Sequence, residues 1–355
     1  MPYHPFDWSP PSRPGRAFVD FYPASWTPPQ SSSNRVASSD ASALWDEAEE
    51  VRGRLGVKPK ASKSHGYKHP ALAQKVAAWA PDVVVSLAVS EVMTILRFEA
   101  GANDFAPARL KVVDVASTQH MVCELTPPAN TSFIETHSLG LPSVIGKKGH
   151  RKASRNAILS HAANLDLMYM EGLGLGIEQN RHAYLLMLAT LSLLHASGQL
   201  FKHQFSVPRP HLLAQGVQPT LQVPGHASYP AGHAAQARAV SNLFADLLSL
   251  PPPGGGKTLR DRLIDVADRI SDMRVVAGLH YEFDCLAGKA LGQSVASLLN
   301  LLGGRAATAG EPHTYSAGDA SPTKAAPTSA TLPATPVLTF LWAQAAKELA
   351  DANID

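Results

Sequence analysis

Cysteine is nearly absent: Cys123 and Cys285 are the only two in 355 residues. That excludes a disulfide-stapled scaffold and fits a reducing compartment. A surplus of positive charge is also missing, since 31 Lys plus Arg face 29 Asp plus Glu for a formal charge of +2. Without a basic field the chain is not expected to bind nucleic acid. The opening Met-Pro-Tyr-His-Pro-Phe-Asp-Trp has no basic segment followed by an apolar one, so no secretory signal is expected and a cytoplasmic location follows. Clean apolar runs are scarce as well. The uncharged stretch from His182 to Phe201 contains Thr190, Ser192, His195, Ser197 and Gln199 and stops at Lys202; Glu91 interrupts the segment from Val83 to Phe98, and Lys289 the one after Asp284. These read as buried bundle helices, and no membrane span is expected.

The chain does have the means to build a large core, with 45% hydrophobic residues. The expected fold class is all-α, a helical bundle preceded by an irregular arm. Residues 1–42, rich in Pro and Ser, read as an extended N-terminal arm, followed by a short charged helix over 43–56 and a basic loop over 58–68. Apolar spacing predicts two helices between residues 70 and 100 with Pro81 between them. Residues 108–150 read as a strand or an irregular excursion. Helical periodicity returns over 154–170 and 181–202, and Pro208 and Pro210 stop it. Further helices are expected from about His233, from Thr258 as N-cap with Asp261 three residues on, and from about Leu279 to Leu302. The domain reading is a helical catalytic domain over 43–302 with its motif core at 185–300, a flexible linker over 303–336, and a C-terminal helix over 337–355.

Three fragments carry chemistry. Lys202-His-Gln-Phe-Ser-Val-Pro-Arg209-Pro210 ends a long apolar segment; His226-Ala-Ser-Tyr-Pro-Ala-Gly232-His233 follows; Arg274-Val-Val-Ala-Gly-Leu-His280-Tyr-Glu-Phe-Asp284 is the third. Lys202, Arg209 and Arg274 supply a compact ammonium and two planar forks, the donors an oxyanion requires. Gly232 and His233 stand at an expected helix start, where backbone N–H groups and the macrodipole favour an anion. His280 and Asp284 lie four apart, so the carboxylate can fix the imidazole tautomer. Isolated histidines such as His195, His203 and His211 are read as structural.

Taken together, Lys-x6-Arg-Pro, Pro-x-Gly-His and Arg-x5-His-x3-Asp resemble the superfamily of vanadium-dependent haloperoxidases, bacterial acid phosphatases and type 2 phosphatidic acid phosphatases, over roughly residues 185 to 300. In motif detail the chain is most similar to the haloperoxidases. The resemblance implies a vanadate cofactor on His280, with phosphate able to occupy the same cage of Lys202, Arg209, Gly232 and Arg274. It implies halide, hydrogen peroxide and a small organic molecule as substrates. His233 would be the acid-base residue, and His226 lies where bromoperoxidases carry a second active-site histidine, which favours bromide over chloride. The alternative is a soluble phosphatase working through phospho-His280, and a third reading is an anion binder without activity. Two positions depart from the pattern: Ala231 stands where Ser is usual, and Met273 precedes Arg274 where phosphatases usually have Ser. A homo-oligomeric state is left open.

Overall fold

The computed structural model describes residues 71–248, 257–304, 311–326 and 330–351. The expected arm, charged helix and basic loop before residue 70 lie outside these. The described residues from Val76 onward belong to one compact unit; residues 71–75, with the first turn of helix α1 (Leu72–Ala78), fall to the other.

In the larger unit, α2 (Pro81–Ile95) has Pro81 in its first turn, where the missing N–H would be unpaired anyway. It buries Val84, Val85, Ala88, Val92 and Ile95, the spacing of one helix face. The chain becomes extended at Leu96 and runs into β1 (Leu96–Glu99), β2 (Ala108–Val113) and β3 (Gln119–Thr126). These three strands pair antiparallel, and β2 alternates buried Ala108, Leu110 and Val112 with half-buried neighbours. Short helices follow, α3 (Thr131–Thr136) and α4 (Leu141–Lys147).

The segment expected as one helix over 154–170 is two, α5 (Arg155–Ala163) and α6 (Leu165–Gly172), parted by Asn164 at φ −144° and ψ 77°. Helix α7 (Arg181–Phe205) then passes through the middle of the bundle and ends where Ser206 turns left-handed at φ 47°. After the short α8 (Pro210–Leu213) come α9 (Gly232–Leu248), α10 (Leu259–Val276), α11 (Glu282–Leu302) and α12 (Pro336–Asp351). Thr258 and Asp261 form the expected reciprocal cap on α10: Asp261 N donates to Thr258 Oγ1 at 3.1 Å and Thr258 N to Asp261 Oδ2 at 3.0 Å.

The bundle core packs α9 against α7, α10 and α11. Small residues make the α9–α11 approach close. A Cβ on Gly288 would lie 2.4 Å from Ala231 O, and one on Gly292 would lie 2.3 Å from Ala235 O. At the other end, α12 is tied in by two carboxylates. Glu91 of α2 accepts from Val337 N at 3.0 Å and Leu338 N at 3.1 Å, and Glu348 of α12 accepts from His182 N and Ala183 N at 3.0 Å. Each satisfies the open N–H groups of a neighbouring helix start. Glu91, an interruption in the apolar pattern of α2, is thus a cap for another helix.

The mostly helical architecture agrees with expectation, with a small sheet added. Within 303–336, read from the sequence as a flexible linker, residues 313–316 form β4, parallel to β3, and β5 (Thr323–Lys324) pairs with β4. His313 and Tyr315 point their alternate positions inward, which anchors this stretch to the bundle.

Two helices correct the expectation that no segment could span a membrane. The stretch Arg181–Leu213, which α7 dominates, and α11 (Glu282–Leu302) are long and apolar enough to cross one, with mean hydropathies of 1.3 and 1.2. The polar residues between 182 and 201 are too dispersed to lower the average, and Lys289 alone does not break the second helix. The expected cytoplasmic location, drawn from the lack of a secretory signal, is corrected as well, because two helices long and apolar enough to cross a membrane point away from it. Within the protein, 61% and 67% of the two apolar windows are buried.

Candidate anion-binding active site

Helix ends build the site. Lys202 comes from the last turn of α7, Arg209 precedes α8, and Gly232 and His233 open α9. Arg274 closes α10, and Asp284 lies in the first turn of α11. Ala231 N donates to Asp284 O at 2.9 Å, which joins the starts of α9 and α11. The chain reverses between α10 and α11 at Gly278, whose φ of +79° suits glycine, and a Cβ there would meet Arg151 Nη2 at 2.5 Å. Arg151 itself buckles the surrounding loops, donating through Nε to Val276 O and through Nη1 to Gln218 O, both at 2.7 Å.

Lys202 and Arg209 organise the loop between α8 and α9. Lys202 Nζ donates to Ala227 O and Ser228 O, each at 2.9 Å. Arg209 donates through Nε to His226 O and through Nη1 to Leu279 O, again at 2.9 Å, while its Nη2 lies 3.2 Å from His226 Nδ1. Lys202, Arg209 and Arg274 are all at least 97% buried, since their exposures are 3%, 3% and 1%. Burial pushes the Lys202 ammonium down to about 7, aided by the neighbouring Arg209 charge, and lowers both guanidiniums to about 10. Carbonyl dipoles only partly offset this concentration of charge.

At the centre stands His280, 5% exposed. Asp284 Oδ2 accepts from its Nδ1 at 3.1 Å, and also from Tyr281 N at 2.9 Å and from Ser228 Oγ. Ser228 Oγ lies 3.3 Å from the same Nδ1. With a carboxylate as partner, Nδ1 carries the proton and Nε2 keeps its lone pair. Nε2 lies 3.5 Å from Arg209 Nη1. Burial drives the His280 pKa well below the ordinary value, and the Arg209, Lys202, His233 and His226 charges push in the same direction. Burial raises Asp284 to about 6, against the bonds from Ser228 and Tyr281.

Hydrogen bonds thus link five of the residues singled out in the sequence, Lys202, Arg209, His226, His280 and Asp284, through side chains and shared loop carbonyls. His233 is close enough for its charge to act on His280. Beside Gly232 there is open space, since a Cβ there would meet nothing within 4 Å. Arg274 differs: its Nη2 donates to Ile158 O at 3.1 Å, and its buried Nε has no hydrogen-bond partner. His226 is exposed at the mouth of the loop. The sequence reading missed Ser228 and Arg151. Ser228 lies inside the second fragment, five residues before His233, but a serine in a loop carries no periodic signal.

No protein-family model matches the chain, and no curated protein matches its sequence. Among solved structures, it is similar to a transmembrane PAP2-type phosphatidylglycerolphosphate phosphatase from Bacillus subtilis. The likeness has 19% identity and a TM-score of 0.37, and covers 47% of this chain and 87% of that one.

Proposed function

We propose that this protein is a hydrolase of phosphate esters that works through His280. One observation carries the reading: two buried cations, Lys202 and Arg209, are tied to the loops and helix ends that hold the buried carboxylate Asp284, and a third buried cation, Arg274, lies in the last turn of α10, six residues before His280. Buried charge of one sign calls for a counter-ion, and a tetrahedral oxyanion matches ammonium and guanidinium donors. The orphaned Arg274 Nε and the open space at Gly232 give that anion a donor and room.

In this reading His280 Nε2 attacks phosphorus, the bond to the ester oxygen breaks, and His233 gives the departing alkoxide its proton. Asp284 and Ser228 hold Nδ1 while positive charge grows on the ring. Water then attacks the phosphorus of phospho-His280 as His233 takes its proton; the P–N bond breaks and phosphate leaves. Lys202 and Arg209 neutralise the non-bridging oxygens in both steps.

Phosphate release from p-nitrophenyl phosphate, with acid-labile label trapped on His280, tests this. Wild-type turnover that drops by about a thousandfold or more in His280→Ala is expected, because loss of a covalent nucleophile removes the main route. Turnover unchanged in that variant overturns the reading.

A second reading, halide oxidation with a bound vanadate, draws on His226, whose Nδ1 lies 3.2 Å from Arg209 Nη2 at the loop mouth. Vanadate is a tetrahedral oxyanion like phosphate, so the same residues fit it: His280 would hold it, and Lys202, Arg209 and Arg274 would neutralise it. When bound it would supply Lewis-acid chemistry. Bromination of an activated phenol by peroxide and bromide after vanadate loading, without phosphate release, selects this reading over the first.

A further inference from the structure

A cleft of about 310 Å³, sharing no residue with the candidate active site, lies between α9, α11 and the β4–β5 hairpin. Three cations line it, Arg238, Lys289 and Lys324, and no carboxylate does. Asp268 pairs with Arg238 and with Lys289, the latter at 2.9 Å, and Glu311 pairs with Lys324 at 2.7 Å. Both carboxylates are about half exposed, with side-chain exposures of 45% and 55%, so solvent screens what they contribute. Arg238 is different, because it is 7% exposed and its buried Nε has no hydrogen-bond partner. A buried guanidinium with an unused donor calls for an acceptor.

We propose that this cleft binds a small organic anion of the phosphate-ester class, at a site separate from the one around His280. Two ammonium groups and a planar fork suit a concentrated dianion. Gln293 and Ser321 add neutral polar groups, and Leu286 and Pro322 give an apolar wall for an organic body. The volume is at the lower end of small-molecule pockets, which run from about 300 to 1,000 Å³. A phosphate with a short organic group fits better than a bulky ligand.

Phenylphosphonate is a suitable probe, since its P–C bond resists hydrolysis. Calorimetry on the full chain should find two equivalents bound. Arg209→Gln should remove one, and Lys289→Gln with Lys324→Gln should weaken the other by roughly tenfold, the usual worth of a charge-assisted bond. If the reading of the His280 site fails, a single equivalent is expected, kept in Arg209→Gln and weakened in the lysine variant. Loss of all binding in Arg209→Gln overturns the second site, as does an affinity that the lysine variant leaves unchanged. Inorganic phosphate that binds the cleft as tightly as phenylphosphonate overturns the organic part of the ligand. On wild-type protein, phenylphosphonate should protect Lys289 and Lys324 from acetylation, with Lys148 as the unprotected reference; equal labelling of all three also overturns the proposal.

Discussion

Asp284 Oδ2 stands 3.1 Å from His280 Nδ1, and that bond decides which nitrogen of the ring can react. The carboxylate is fully buried and lies in the first turn of α11, so it is fixed in place and can hold the ring. Asp284→Asn keeps the size but replaces the ionised acceptor with an amide. Turnover of a phosphate ester should fall by roughly 10- to 100-fold, corresponding to the 1.5 to 3 kcal/mol of a hydrogen bond to a charged group. The level of trapped phosphohistidine reads the effect directly, and a level equal to wild type contradicts the role given to Asp284.

Ser228 is the second support of the same pair. It is fully buried, donates to Asp284 and lies 3.3 Å from His280 Nδ1. Ser228→Ala leaves Asp284 with one donor fewer and should slow turnover by about fivefold or more, from a loss of about 1 kcal/mol or above. Thermal unfolding of the same variant controls for folding. Identical kcat and KM in the alanine variant would reduce Ser228 to a packing residue.

The site was legible where chemistry and local spacing coincide. His280 and Asp284 meet as their spacing suggests, but not on one helix face: α11 begins at Glu282, Tyr281 before it is extended, and Asp284 reaches back from the first turn to Tyr281 N and His280 Nδ1. Lys202 stands in the last turn of a long apolar helix that Pro208 and Pro210 keep from continuing. Ser228 was not legible, because its place depends on the loop folding back so that Ser228 N donates to Val207 O at 2.9 Å, a contact across twenty-one residues of chain without periodicity. The β4 strand was missed for a related reason. His313-Thr-Tyr-Ser316 is too short to show alternation, and its partner β3 lies far away in sequence. Membrane propensity is hidden at the level of single residues, because partition depends on the average over a helix and the scattered polar groups of α7 and α11 leave that average high.

Close packing of α9 on α11 sets the distance between the two halves of the site. Gly288→Ala and Gly292→Ala would each press a methyl group onto backbone at the start of α9, the first on Ala231 O just before the helix and the second on Ala235 O within it. Each should cost about 1 to 3 kcal/mol, the usual penalty of overpacking. Thermal unfolding should show a lowered Tm for both. Gly288→Ala should also depress turnover beyond its effect on stability, because Ala231 N is bonded to Asp284 O at the site itself.

Lys202 makes anion binding and stability depend on pH in opposite ways. Burial lowers its pKa from the ordinary 10.5 to about 7. Between those values the unfolded chain binds the proton and the folded chain does not, so unfolding free energy rises with pH across this window. An oxyanion in the cage favours the charged ammonium, so phosphate should bind more tightly below pH 7 and more weakly above it. Saturating phosphate should therefore flatten the rise in stability between pH 7 and 10. Lys202→Met, which fills the same space without a charge, should lose both the rise and its response to phosphate. Urea unfolding at several pH values, with and without phosphate, measures all of these slopes. A wild-type profile that is flat without phosphate, or that phosphate leaves unchanged, would show that Lys202 does not answer to an anion in this cage.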